Sequence, residues 1–189
     1  MAGLLLFLGG LLSVLGIMVA ETQYPGYSVS QNYISDLGVG PAALLFNTTI
    51  LLLGLLVLAS MFYVHRAFGS RLFTAVLALS GLGAVGVGIF NENFLLLHLP
   101  FALTAFISSA ASAIVAARFV KFPFNYVSAA LGALSLAALV LMMTGEYFGE
   151  YLGLGAGGME RMIAYPTMLW MLGFGGYLMA DKEHATGGA

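Results

Sequence analysis

The sequence predicts an all-α, polytopic membrane protein, a bundle of six transmembrane helices with a short interfacial helix between the first and the second. Of its 189 residues, 61% are hydrophobic and only 7% are charged, and the mean hydropathy is +1.01. A soluble domain of this size could not hide so much apolar surface, so the bilayer must be its solvent. The apolar runs follow one another with short connections, which predicts a single domain over residues 1–189.

Six apolar runs are the predicted spans. They cover approximately residues 3–20, 42–63, 72–90, 94–117, 124–144 and 160–180. The first run differs from a cleaved signal peptide, because no basic residue precedes it and Met18 fits poorly three positions before a cut after Ala20. Pro41 and Pro123 fall in the first turns of the second and fifth runs, where a missing amide hydrogen costs nothing.

Composition excludes several functional classes. The net charge of -2 gives no reason to expect nucleic acid as a partner. The absence of cysteine excludes disulfides, iron–sulfur clusters and thiol catalysis. No charged residue lies near the centre of a predicted span, which argues against pumps and ion-coupled transporters. No lysine lies within a span, so a retinal Schiff base is excluded as well.

The basic residues predict the orientation of the chain. All Lys and Arg residues except Arg161 lie on the side of both termini, which the positive-inside rule makes cytoplasmic. These residues are Arg66, Arg71, Arg118, Lys121 and Lys182. The acidic residues predicted outside are Glu21, Asp36, Glu92, Glu146, Glu150 and Glu160, and those predicted inside are Asp181 and Glu183. Tyrosines, which suit the headgroup level, gather outside at Tyr24, Tyr27, Tyr33, Tyr147, Tyr151 and Tyr165.

Residues 27–41 form the longest polar interval between spans. Ser28, followed three residues later by Gln31, predicts a capping box that begins a short helix, and Gly38 is a natural stop. Ile34 and Leu37 would then share one face of it. We therefore predict a helix over residues 28–38 that lies on the membrane surface. Residues 145–160 contain six glycines and predict a mobile flap or a re-entrant hairpin over the outer face.

Small residues repeat every four positions on the third and fourth spans. This spacing lets helix backbones approach closely in lipid, which favours packing within the bundle and leaves a dimer seam as the alternative. The residues are Ser80, Ala84 and Gly88, and Ala105, Ser109, Ala113 and Ala117.

Polar side chains gather near the predicted outer ends of the spans, within roughly 10 Å of one another in depth. They are Asn47, Glu92, His98, Glu160 and Arg161, beneath the predicted helix that carries Ser35 and Asp36. Pro100 and Pro166 would kink two spans beside them and open a cavity. The sequence therefore predicts a polar ring in the outer leaflet.

Each member of this ring has a functional and a packing interpretation. His98 is an acid–base candidate or a packing histidine, and Asp36 is its catalytic partner or a helix cap. Arg161 is expected to pair with Asp36 or Glu92 and to meet a phosphate or carboxylate headgroup, or else to snorkel. A metal site would rest on His98, Asp36, Glu92 and Glu160 alone, so we predict no metal and no cofactor.

Several short motifs together resemble one known family. They are Ile34-Ser-Asp-Leu-Gly38, Phe46-Asn47, the segment from Asn91-Glu92 to His98, and Gly158-Met-Glu-Arg-Met-Ile-Ala-Tyr-Pro166 with Trp170. The chain resembles a family of prokaryotic six-span membrane proteins named domain of unknown function nine-nine-eight. The resemblance implies a six-helix fold but no activity, and the family looks distantly like eukaryotic six-span proteins that handle lipids and lipid anchors. The implied signature positions are Ser35, Asp36, Asn47, His98, Glu160, Arg161, Tyr165 and Trp170.

The favoured hypothesis is an outer-leaflet site that binds, or also processes, a lipid headgroup in the cell membrane. The catalytic candidates are His98 and Asp36, and the ligand-binding candidates are Ser35, Asn47, Glu92, Glu160, Arg161 and Tyr165. One alternative is a non-catalytic accessory subunit that packs against another membrane protein or a second copy through the small-residue stripes. A small-solute transporter is the least favoured alternative, because the predicted midplane is apolar.

Overall fold

The computed structural model describes residues 1–180 and is all-α over that range. Its six long helices are α1 (Ala2–Thr22), α2 (Ala43–Phe68), α3 (Arg71–Ile89), α4 (Leu95–Ala116), α5 (Phe124–Phe148) and α6 (Gly155–Ala180). Two 3-10 helices, Ser35–Gly38 and Glu92–Phe94, precede α2 and α4. The predicted fold class is thereby confirmed as an all-α protein with long apolar helices. The placement of Asp181, Lys182 and Glu183 lies outside the described residues.

The first five long helices are apolar and long enough to cross a membrane. Each long helix packs against the next along the chain, and α6 packs back against α1, so the six helices form a closed ring. We call the side where α1 begins and α6 ends the termini end, and the other side the opposite end. Residues 23–42, 90–94 and 149–154 all lie at the opposite end.

Small residues allow the ring to close tightly. A side chain on Gly3 of α1 would come within 2.6 Å of the carbonyl oxygen of Gly175 on α6. Gly88, in the predicted stripe of α3, similarly lies against the backbone of Asn47 and Leu51 on α2. These residues serve packing within the chain, as the spacing favours, because backbones that approach this closely leave no room for a Cβ atom.

A cluster of aromatic rings fills the bundle toward the termini end. The Phe73 and Phe119 rings stack with centroids 5.7 Å apart, and Phe174 stacks on Trp170 at 5.1 Å. The Trp170 indole nitrogen donates a 2.8 Å hydrogen bond to the hydroxyl of Ser128, so its one polar atom is satisfied inside the bundle. Trp170 is therefore a packing residue of α6.

The predicted interfacial helix over residues 28–38 is wrong in extent. Only Ser35–Gly38 is helical, and it is a 3-10 helix. The capping box is absent, because the Ser28 hydroxyl lies 3.3 Å from the Ser30 hydroxyl and its backbone amide donates to the Asn32 side chain. The Asp36 carboxylate accepts hydrogen bonds from Asn32 and from the Tyr33 amide, and such side-chain bonds to the local backbone compete with a continuous helix.

This segment plugs the opposite end of the bundle. Ile34 is 5% exposed and Leu37 is fully buried, so their shared face points into the protein. The Asn47 amide of α2 donates a 2.9 Å hydrogen bond to the Gly38 carbonyl and fastens the segment to the ring. We call residues 23–42 the plug.

The prediction of a flap or re-entrant hairpin over residues 145–160 is also wrong. Helix α5 continues to Phe148, α6 begins at Gly155, and only residues 149–154 connect them. The Gly157 amide donates a 3.0 Å hydrogen bond to the Ser30 carbonyl, so the glycine-rich turn of α6 lies directly against the plug. Close packing explains these glycines and outweighs their low helix propensity.

Candidate functional site

Arg161 is held entirely by protein groups at the opposite end of the ring. Its Nη2 donates to Glu21 at 2.6 Å and to the Tyr27 hydroxyl at 2.7 Å, and its Nε donates to Glu21 at 3.3 Å. Its Nη1 donates to three backbone carbonyls, those of Val29, Asn32 and Gly157. The residue is only 6% exposed. All five N–H donors of a guanidinium are therefore used within the protein.

The expected role of Arg161 is corrected by this network. Its partner is Glu21 at the end of α1, not Asp36 or Glu92, and no donor remains for a phosphate or carboxylate headgroup. Arg161 instead ties α1, the plug and α6 together. Tyr165, half-buried one turn further along α6, lies beside Arg161 and Glu21 and belongs to the same network.

Tyr27 and Tyr33 are the phenols of the plug. Burial raises the pKa of Tyr27 to about 12, although the Arg161 guanidinium opposes the rise. Its hydroxyl donates a 2.7 Å hydrogen bond to the Tyr33 carbonyl. Burial and the Glu146 carboxylate raise the pKa of Tyr33, so its phenol stays protonated and donates to Glu146. The Tyr151 hydroxyl donates to the same oxygen at 2.8 Å.

We expect alkaline pH to weaken the plug through Tyr27. A raised pKa in the folded state favours folding at pH values below the ordinary tyrosine pKa of about 10, and this contribution is lost as pH rises toward 12. The melting temperature of the wild type should therefore fall more steeply between pH 10 and pH 12 than that of Tyr27→Phe. Thermal melts of both proteins across that range test this, and parallel curves would contradict it.

Glu160 lies next to Arg161 in sequence but faces the interior of the ring. One of its carboxylate oxygens accepts a hydrogen bond from the Ile34 amide of the plug. Its other oxygen has no hydrogen-bond partner among the described residues, although the side chain is only 6% exposed. Glu160 therefore presents an open acceptor inside the protein.

His98 lies on α4 with its ring also turned inward. Its Nδ1 lies 2.8 Å from the Phe90 carbonyl oxygen, and only a protonated Nδ1 can donate to that acceptor. In the neutral ring, Nε2 then carries a lone pair, and nothing in the described chain bonds to it. The residue is 6% exposed. His98 thus provides a second open acceptor, in the tautomer that a general base requires.

Ser35 and Glu92 connect the plug to the start of α4. The Ser35 hydroxyl donates a hydrogen bond of 2.5 Å to the Glu92 carboxylate. Asp36, Glu160 and His98 all lie close enough to Glu92 to interact with it electrostatically. Three carboxylates and one imidazole, from four separate parts of the chain, therefore meet at the opposite end of the ring.

Two cavities meet at this polar cluster. The first, which we call the central chamber, is a narrow cavity of about 80 Å³ between α2, α3, α4 and α6. Its lining is mostly apolar, with the hydroxyl residues Ser80, Ser109 and Thr167 along its length. The ionisable residues His98 and Glu160 lie with Ser35 at one end. The second, which we call the lateral cleft, has a volume of about 430 Å³ between α4, α5 and the plug.

The chamber and the cleft share one set of walls. The residues common to both are Ser35, His98, Ala102, Phe106 and Glu160. The cleft adds Tyr33, Glu92 and Glu146 at its plug side and an apolar wall from α4 and α5. The arrangement combines an apolar interior with a polar end and a side opening, which suits an amphipathic molecule.

The structure separates the predicted site residues into two groups. Ser35, Glu92, His98 and Glu160 line the cavities, and Asp36 lies beside them on the plug. The others hold the plug in place and line neither cavity, and these are Asn47, Arg161 and Tyr165. The carbonyl oxygen of the Asn47 side chain is buried without a partner in the described region, and its amide nitrogen is the plug contact.

Sequence reasoning missed the contacts that Glu21, Tyr27, Tyr33 and Glu146 make. One signal was available for Glu21, because it and Arg161 occur at the ends of the first and last predicted spans, which a closed ring makes neighbours. The tyrosines offered no comparable signal, since their partners are backbone carbonyls and a carboxylate more than a hundred residues away. In residues 1–180, no group of three or more His, Asp or Glu side chains is arranged to hold a metal ion.

Comparison with known families gives one match that spans most of the chain. A family model with the description "Protein of unknown function (DUF998)" matches residues 7–177. Comparisons with curated proteins and with solved structures gave no match.

Proposed function

The chain belongs to this family of unknown function, DUF998, and on that premise we propose that it is a six-span cell-membrane protein that binds one lipid molecule. The apolar part of the lipid occupies the central chamber, and its head reaches the polar cluster at Ser35, His98 and Glu160. The observation that carries the proposal is a mostly apolar chamber whose ionisable side chains, His98 and Glu160, both lie at one end.

The sixth span is α6. Its 26 residues correspond to about 39 Å at 1.5 Å per residue, which exceeds the hydrocarbon thickness of about 30 Å. It packs between α1 and α5 in the ring. Its two ionisable residues near the opposite end, Glu160 and Arg161, are buried beneath the plug. A helix shielded in this way tolerates lower hydropathy than its neighbours.

In this proposal both termini lie in the cytoplasm and the plug lies at the outer leaflet. Within the described residues, the termini end carries Arg66, Arg71, Arg118 and Lys121, whereas the opposite end has only Arg161, which is internally paired. The positive-inside rule then orients the protein with its polar cluster under the outer headgroups.

The lateral cleft is the entrance in this proposal. It opens between α4 and α5, and apolar side chains on both helices are exposed around it, including Leu95 at 60% and Met143 at 58%. Exposed apolar surface of this kind belongs in contact with lipid tails in a membrane protein. A lipid can therefore enter from the bilayer without passing through water.

Filling the chamber should expel the lipid. Ala84 of α3 lines the chamber and is 8% exposed, so Ala84→Phe places a ring where the apolar tail would lie. We expect at least about a tenfold loss of co-purified lipid, since the tail and the new ring compete for the same volume. Mass spectrometry of lipid extracted from protein purified in a mild detergent measures this.

The matched control is Ala75→Phe, because Ala75 lies on the exposed face of the same helix. It adds the same side chain outside the chamber and should retain the lipid content of the wild type. Equal lipid content in folded Ala84→Phe and Ala75→Phe would refute the chamber as the binding site.

The two alternative functions receive less support. The aromatic cluster of Phe73, Phe119 and Phe174 lies beyond the chamber toward the termini end, which favours a closed lipid site over a path for a solute. If the protein were an accessory subunit, the Arg161 network would serve as an internal latch, but the chamber and the cleft would have no role. The lipid site is the function that accounts for both cavities.

A further inference from the structure

The polar end of the central chamber brings together open hydrogen-bond acceptors on two buried ionisable side chains. One Glu160 oxygen is unpartnered, and His98 keeps a lone pair on Nε2 because its Nδ1 donates to a backbone carbonyl. Both side chains are more than nine-tenths buried, and both line the chamber and the cleft. The hydroxyl proton of Ser35 is already given to Glu92. A bound head group must therefore supply the hydrogen-bond donors.

Several carboxyl groups gather around this end without a basic side chain among them. Glu92 and Glu160 line the cleft with Glu146, and Asp36 lies beside Glu92. The described chain contributes no Lys or Arg to the lining of either cavity. The nearest guanidinium, that of Arg161, donates all its hydrogen bonds to Glu21, Tyr27 and backbone carbonyls. Carboxylates that share a site of low dielectric repel one another, and a cation placed among them relieves that repulsion.

We propose that the group recognised between Glu160, Glu92 and His98 is an ammonium on the head of an amphipathic molecule. This inference rests on the proposed lipid site and specifies the chemistry of its polar end. An amine provides up to three N–H donors for the open acceptors and the positive charge that the carboxylates lack. An anionic phosphate or carboxylate head would add a like charge beside these carboxyl groups, so we expect it to bind more weakly at this position.

Three amphiphiles with the same saturated tail separate charge from hydrophobicity. Hexadecylamine, hexadecanol and hexadecanoic acid differ only in the head, and binding of each to delipidated full-length protein is measured at pH 7 in a neutral maltoside detergent. We expect the amine to bind at least about tenfold more tightly than the alcohol, because charge-assisted hydrogen bonds are the stronger ones. The acid should bind most weakly.

Glu160→Gln tests whether the Glu160 carboxyl group is the side chain that recognises the positive charge of the amine. The glutamine oxygen still accepts from the Ile34 amide, so the plug contact is preserved while the charge is removed. This variant should lose about tenfold in amine affinity and leave alcohol affinity unchanged. Glu92→Gln, which can still accept from Ser35, gives a second test if the first variant does not fold. Glu150→Gln is the control, because Glu150 is exposed at the same end and lines neither cavity.

The outcomes distinguish the amine inference from the lipid proposal. Equal affinity for amine and alcohol, or tighter binding of the acid, would overturn the ammonium and leave a lipid site of other specificity. A full amine preference in both Glu160→Gln and Glu92→Gln would also overturn it. If no amphiphile binds and Ala84→Phe keeps the lipid content of the wild type, the proposed function itself is wrong.

Discussion

Replacing Arg161 with Met is expected to lower the free energy of unfolding by about 3–5 kcal/mol, the range for breaking a buried ion pair from one side. The change leaves Glu21 as a poorly solvated carboxylate, with 18% of its side chain exposed. It also removes the donor to the carbonyls of Val29, Asn32 and Gly157. Thermal melts in detergent measure the effect, and the plug should become sensitive to proteases well below the melting temperature.

Two further variants make this prediction specific. Arg118→Met removes an exposed arginine at the termini end and should change stability by no more than about 0.5 kcal/mol. Glu21→Gln keeps neutral acceptors for the guanidinium and should lie between that control and Arg161→Met. If Arg161→Met melts as Arg118→Met does, the arginine does not hold the plug.

Gly157→Ala should destabilise the protein by about 1–3 kcal/mol or more, although alanine is the better helix former. A Cβ atom at this position would overlap the Asn32 carbonyl oxygen, which belongs to the backbone and cannot rotate away. The plug must then move off α6, which strains the Ser30 contact and the Arg161 bonds to the same loop. Thermal unfolding and hydrogen exchange at the plug amides measure this displacement.

Gly176→Ala on the same helix is the matched control. A Cβ atom there meets nothing within 4 Å, so the substitution should be neutral or should stabilise α6 by up to about 1 kcal/mol. The two alanine variants therefore have opposite expected signs. If Gly157→Ala proved as stable as Gly176→Ala, contact with the plug would not explain the glycine at position 157.

The long helices could be predicted from the sequence because their signal is local. Apolar runs of span length, interrupted by short polar connections, predicted all six helices close to their observed bounds, although α6 begins at Gly155 rather than near residue 160. The gathering of Ser35, Glu92, His98 and Glu160 was also foreseeable. Span ends on one side of a membrane must lie at similar depth, and the side chains at those ends then share a layer.

The plug was not predictable from local patterns. Ser28 and Gln31 have the spacing of a capping box. In the structure, however, the Asn32 and Asp36 side chains accept hydrogen bonds from backbone amides, and Ile34 and Leu37 are buried in the bundle. Burial of two apolar side chains outweighs the small gain from a cap on an isolated turn. The same reason explains the start of α6, where contact with the plug stabilises a turn whose glycines would not hold a helix alone.

By itself, the sequence determined that this chain is a bundle of long apolar helices with a cluster of polar residues at one end, because unpaired backbone and charged groups are excluded from the lipid core. Only the tertiary structure decided which of those polar residues have all their hydrogen-bonding groups satisfied within the protein. Closure of the ring brings Glu21 to Arg161, and every N–H donor of the guanidinium is then hydrogen-bonded within the protein. Glu160, one position away, faces a cavity, and one of its carboxylate oxygens has no partner in the described chain. Neighbours in sequence point about 100° apart on a helix, so their environments depend on what the rest of the chain packs against each face.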